Sequence, residues 1–263
     1  MNNLYLLNQS FDIQDLDTFF NGIVDLIEVR SQPGSCEIFS KSESIYSLAS
    51  FYQLFDKGYQ ETNAVVKFLE QIKSIEPEIK SETEFDTRFP NDCNGFMGID
   101  FTKCSTSKER QVSNKQDLLN FRAYCNSTTT YKNIFARRQC LFPKLVLCEG
   151  VEAQLFSFGN SLAFNVVVEK LRLLNDLASK WVSGGFTYHD FCKVHGLEIS
   201  GESDTTMNNK KCKRERTFAL PDGQHVVFEL HAKISTAALR IHIYPDEKTT
   251  TLYVGYVGKH LST

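Results

Sequence analysis

No stretch of this 263-residue chain approaches the roughly 20 apolar residues that a membrane-spanning helix needs. The segment from Met1 to Gln9 has no basic start followed by an apolar stretch, so no secretory leader is expected. Proline is scarce, at six residues, and no low-complexity tract or internal repeat is present, which argues against a disordered tail or a repeat array. The eight cysteines never form a CxxC pair. In a chain of this size that scatter predicts reduced intracellular thiols and a cytoplasmic address. No phosphate loop, dinucleotide fingerprint or HExxH motif occurs, and no cofactor is expected. Cys192 and His195 have ligand-like spacing, but no second pair follows, so no metal is expected either.

What is present is enough apolar residue, 41% of the chain, for a sizeable core in one large or two small domains. Net charge is −3, unevenly spread. From Lys210 to Thr263 nine Lys or Arg face five Asp or Glu, a local balance of +4 that leaves −7 for the rest. A basic C-terminal unit suits a polyanionic partner, although surface composition alone also produces imbalances of this size.

Asp12 to Arg30 places Ile13, Leu16, Phe20, Ile23 and Ile27 at helical spacing, and Ser44–Asp56 and Asn63–Ile75 read as two further helices. Residues 76 to 112 lack a helical period, and a short helix is expected from Ser113 to Tyr124. After the polar break at Asn126–Thr130, Leu141–Cys148 reads as a buried strand. Helical sequence then runs from Gly150 to Trp181, and Thr187 caps a short helix ending at Gly196. Strands are expected at 217–220, 226–234, 239–244 and 252–256. The predicted class is α+β. A mainly helical module (1–130), serving as a restraint or docking a protein partner, precedes a domain of strand, helices and antiparallel meander (131–263).

The strongest pattern is FELHAKISTAALRIHIYPD. A hairpin loop at Ser235–Ala238 sets Lys233 opposite Arg240 and His231 opposite His242, with Ala232 facing Ile241 and Leu230 facing Ile243. Alternation then makes one face apolar and the other rich in His, Lys and Arg. Facing cations repel, and a bound phosphate would relieve them. On the third strand Tyr253 and Gly255 are expected near His242 and Arg240. Gly255 and Gly258 fit either room for a ligand or a bulge. Lys259 and His260 follow. Upstream, Lys210, Lys211, Lys213, Arg214 and Arg216 form a run suited to a nucleic-acid backbone, or to a solvated loop.

The strand FPKLVLC, the helices that follow and the meander ending RIHIYPDEKTTTLYVGYVGKHL together resemble the RelE/HigB/ParE-type toxin superfamily over about residues 135 to 263. Arg240 falls where that family carries a strand arginine, and Lys259 and His260 fall near its functional C-terminal positions. The resemblance implies a metal-independent ribonuclease, toxin-like and suited to antiphage or stress response, in which a ribose 2′-hydroxyl attacks the adjacent phosphate. His231 and His242 would be base and acid in either order, and Arg240 and Lys233 would hold the phosphoryl oxygens. Tyr253, Lys259 or His260 would complete the pocket. The competing expectations are a non-catalytic subunit that binds nucleic acid or protein, and an interaction module whose polar face is buried.

Overall fold

A computed structural model describes residues 1–32, 36–52, 62–234 and 238–262. The chain is α+β and divides into two compact units, Met1–Thr129 and Thr130–Thr263.

Unit 1, whose sequence suggested mainly helices, also contains a sheet that the sequence did not reveal. At its centre is a five-stranded, all-parallel sheet in the order β3-β2-β1-β4-β5. The strands are β1 (Asn2–Leu6), β2 (Glu37–Lys41), β3 (Lys73–Ser74), β4 (Cys93–Met97) and β5 (Gln111–Val112). Every residue of β1 and β4 is buried, so neither shows the polar–apolar alternation by which strands are usually recognised. The accompanying helices are α1 (Leu16–Ser31), α2 (Thr62–Glu70), α3 (Glu82–Arg88) and α4 (Lys115–Ser127). The side chain of Asp15 caps α1 by accepting from the Thr18 amide, and Phe19, Ile23, Leu26 and Val29 fill its buried face. The helix expected over Ser44–Asp56 begins instead as a 3₁₀ turn at Glu43–Ser47, and its end lies outside the described residues. Sheets of this order offer a ligand crevice where the winding reverses, here beyond β1 and β4. Past those strands the two chain segments approach closely: a Cβ on Gly98 would collide with the Ser10 side chain.

Cys93 and Cys125 form a disulfide, which corrects the expectation that all the thiols are reduced. Both are buried. Cysteines 32 residues apart carry no sequence signature, and the pairing follows only from packing α4 against β4.

Unit 2 follows the predicted order more closely. Its helices are α5 (Arg138–Leu141), α6 (Val151–Ser157), α7 (Leu162–Lys180), α8 (His189–His195), α9 (Asp204–Asn208) and α10 (Lys210–Glu215). Its main sheet is ordered β6-β12-β11-β10-β7. It comprises β6 (Leu145–Leu147), β7 (Glu198–Gly201), β10 (Leu230–Ile234), β11 (Leu239–Asp246) and β12 (Thr251–Lys259). A separate two-stranded hairpin joins β8 (Thr217–Ala219) to β9 (His225–Val227). Ala232, Ile234, Leu239, Ile241, Ile243, Leu252, Val254 and Val257 form one apolar sheet face. It packs with Phe164, Val167, Leu171 and Leu174 of α7 in a single core. The expected hairpin register between β10 and β11 is realised, whereas residues 235–237 of its loop lie outside the described residues.

No helix among the described residues is long and apolar enough to cross a membrane.

Candidate functional site

The second face of the unit 2 sheet carries the polar residues, because side chains alternate across each strand. His231 on β10 lies between two direct neighbours, His242 on β11 and Ser200 on β7. The imidazole centroids of His231 and His242 are 5.4 Å apart. Nε2 of His231 is 3.2 Å from Oγ of Ser200. Its Nδ1 is 3.2 Å from Oε1 of Glu202, the residue just past β7. The same carboxylate oxygen lies 2.8 Å from Nε of Arg216. His242 turns its Nδ1 toward the carbonyl of Phe228, at 3.4 Å.

This cluster does not face open solvent. The chain between Glu202 and Phe228 folds back over it, anchored by the Phe228 amide donating to the Arg216 carbonyl at 2.8 Å. Phe218 of β8 stacks on Tyr256, with ring planes within 14° of parallel, and meets Phe228 edge-on. His231 is left 6% exposed and His242 1%. Burial drives the imidazole of His242 down to about 4, against only partial support from Glu202 and the Phe228 carbonyl. Burial also lowers His231, helped by Arg240, His260 and Lys233 and opposed by Glu202. For Glu202, burial favours the protonated acid, but the Arg216 guanidinium and the two histidines outweigh it and keep the carboxyl below its usual range.

The other predicted residues divide into a rim and a remainder. Lys233 stands opposite Arg240, as expected, and both are half-buried. Glu198 lies opposite Lys233 on its other side, and Arg240 donates from Nη1 to the Leu239 carbonyl at 2.9 Å. Lys259 and His260 are exposed. The His260 ring is 6.4 Å from that of His231. Lys210, Lys211, Lys213 and Arg214 project from α10 into solvent.

Three placements correct the sequence reading. Arg216 is no surface phosphate ligand, being fully buried as the partner of Glu202. Tyr253 sits opposite Tyr244, away from the histidines and beside Phe228 and Leu220. The cause is a bulge in β12 level with the His242/Ile243 step, which brings Tyr256 instead to His242. Gly255 accommodates this bulge and the rings above it, not a ligand: an added Cβ would lie 2.6 Å from Phe218 and 2.8 Å from Phe228.

Glu202 and Ser200 went unrecognised in the sequence. Their spacing of two in LEISGES would place both on one strand face, but the strand is short and is flanked by turn-forming residues. The chain matches no known family model, no curated protein and no solved structure, so its function has to be read from this geometry.

Proposed function

We propose that unit 2 is a RelE-like nucleic-acid-binding domain whose contact surface is the basic rim around the buried histidines. One observation carries the reading. The Ser262 amide and hydroxyl both donate to the Glu215 carboxylate, at 3.0 and 3.1 Å. That tie sets α10, with Lys210, Lys211, Lys213 and Arg214, beside the end of β12, where Lys259 and His260 are exposed. Gly258, one residue earlier, pairs with Arg240, which pairs with Lys233. Cations from separate parts of the sequence are thus brought to neighbouring elements, and binding a phosphate backbone draws on several such charges at once.

Cleavage of RNA is the second reading, favoured by the exposed His260, whose ring lies 6.4 Å from that of His231 on the face that also carries Arg240 and Lys233. The buried His242 cannot meet a substrate here. Proton transfer would therefore draw on His260, with Arg240 and Lys233 steadying the phosphoryl oxygens. A toxin-like cytoplasmic role in antiphage or stress response would accompany that activity, with unit 1 as restraint or docking module for a protein partner.

Fluorescence anisotropy on labelled single-stranded RNA tests both readings. Replacing Lys210, Lys211, Lys213 and Arg214 by Gln should weaken binding and flatten its dependence on salt. Each lost phosphate contact is worth a slope change of about 0.7 for single strands. The absence of binding even at low salt defeats the proposal. A 2′,3′-cyclic phosphate product that persists in chelator and disappears in Arg240→Gln and His260→Gln would establish cleavage.

A further inference from the structure

We propose that Glu202, His231 and His242 form a binding site for a divalent transition metal, zinc being the best match to the donor set. One ligating atom from each residue lies within 4.8 Å of the other two. Two imidazole nitrogens and a carboxylate, offered by two neighbouring strands and the residue that follows a third, suit zinc or a similar borderline ion. A hard cation such as magnesium or calcium would want oxygen donors instead.

The arrangement behind each donor is the stronger argument. Metal-bound histidines characteristically hand their second nitrogen to a carbonyl, hydroxyl or carboxylate, which fixes the tautomer and aims the lone pair. His242 does so through Nδ1, 3.4 Å from the Phe228 carbonyl, leaving Nε2 as the donor. His231 does so through Nε2, 3.2 Å from Ser200 Oγ, leaving Nδ1 as the donor. That Nδ1 is buried and has no well-formed hydrogen bond, its neighbour being the Glu202 carboxylate oxygen 3.2 Å away, itself a proposed ligand. Buried polar atoms are rarely left in that condition, and an ion would satisfy this one. The Glu202 carboxylate is steadied by Arg216, whose Nε lies 2.8 Å from Oε1, the same oxygen that faces His231. All three ligands therefore have second-layer support.

Arg216 also limits the site. With one carboxylate facing both the guanidinium and a dication, affinity should fall below that of closed sites with several thiolates. Three protein donors leave a coordination position for water. Such an ion would tie β7, β10 and β11 together and, through Arg216, hold the covering segment. The proposal goes beyond RNA binding and does not depend on it.

The experiment uses the full chain, dialysed against chelator and titrated with Co²⁺, then Zn²⁺. One equivalent of cobalt should give visible ligand-field bands of a site with fewer than six ligands, and zinc should displace it. His231→Gln and His242→Gln should each weaken binding by more than about 100-fold, beyond the roughly 10–100-fold that second-layer changes cost. Ser200→Ala should weaken it about tenfold, within that range. His225→Gln, an exposed histidine outside the cluster, should leave it unchanged. Circular dichroism checks the fold of every variant, and the wild-type titration and Ser200→Ala stand even where a histidine variant fails to fold. Absence of bands in folded wild-type protein overturns the site, as do thiolate charge-transfer bands. Undiminished binding in both histidine variants does the same.

Discussion

His231 and His242 are direct cross-strand partners, their rings 5.4 Å apart, yet they differ in what they can reach. His231 touches the rim, with the exposed His260 6.4 Å away, whereas His242 ends under Phe218 and Phe228. The pairing separates an inner polar cluster from an outer basic surface, and the two invite different experiments.

The inner cluster should make the metal-free protein sensitive to acid. His242 is driven by burial from 6.5 to about 4 in the folded state, so between those values the unfolded chain binds the extra proton. Its contribution is therefore complete above pH 6.5 and is lost as pH falls through about 4. A shift of this size corresponds to about 3 kcal/mol as an upper figure. The lowering at His231 acts in the same direction. Urea titrations across this range, with chelator present, should show the loss in wild type and a flatter acid limb in His242→Gln.

Arg216→Met should destabilise the protein by about 3–5 kcal/mol, because it strands the buried Glu202 carboxylate. Adding Glu202→Gln should recover part of the loss. A double-mutant cycle in urea measures the coupling, and purely additive losses would mean that the pair is not an energetic unit.

Gly255→Ala should cost about 1–3 kcal/mol, since its methyl group would press into the Phe218 and Phe228 rings. Thermal unfolding reads this directly. A neutral result would show that the two rings can lift away from the sheet.

Cys93→Ala with Cys125→Ala should lower stability by up to about 4 kcal/mol, the loop entropy expected for a bridge spanning 32 residues. Reductant should open this bridge only after partial unfolding, because both sulfurs are buried. Thiol counting before and after denaturation checks the order of events.

The hairpin of β10 and β11 was legible because alternation over FELHAKI and LRIHIY admits one register only. The parallel sheet of unit 1 was not. Asn2–Leu6 and Cys93–Met97 are buried on both sides, so apolar and small polar residues follow one another without a period. The two histidines and the rim cations could be found by counting along strands. Their burial could not, because it depends on residues 202–228 folding back, and Phe218 and Phe228 give no local sign of what they cover. Arg216 illustrates the cost of reading a charge run as a block: its four basic neighbours face water, and it alone turns inward to a carboxylate fourteen positions upstream.

The last strand of the meander occupies an inner place, hydrogen-bonded to β11 on one side and to β6 on the other. During synthesis, β6 therefore waits without its sheet neighbour among the described residues until β12, more than a hundred residues later, emerges from the ribosome. Unit 1 can fold while the rest is still being translated, but the second sheet closes only after Lys259 has been added. A ribosome stalled shortly before that point would hold a finished first unit and a sticky, unfinished second one.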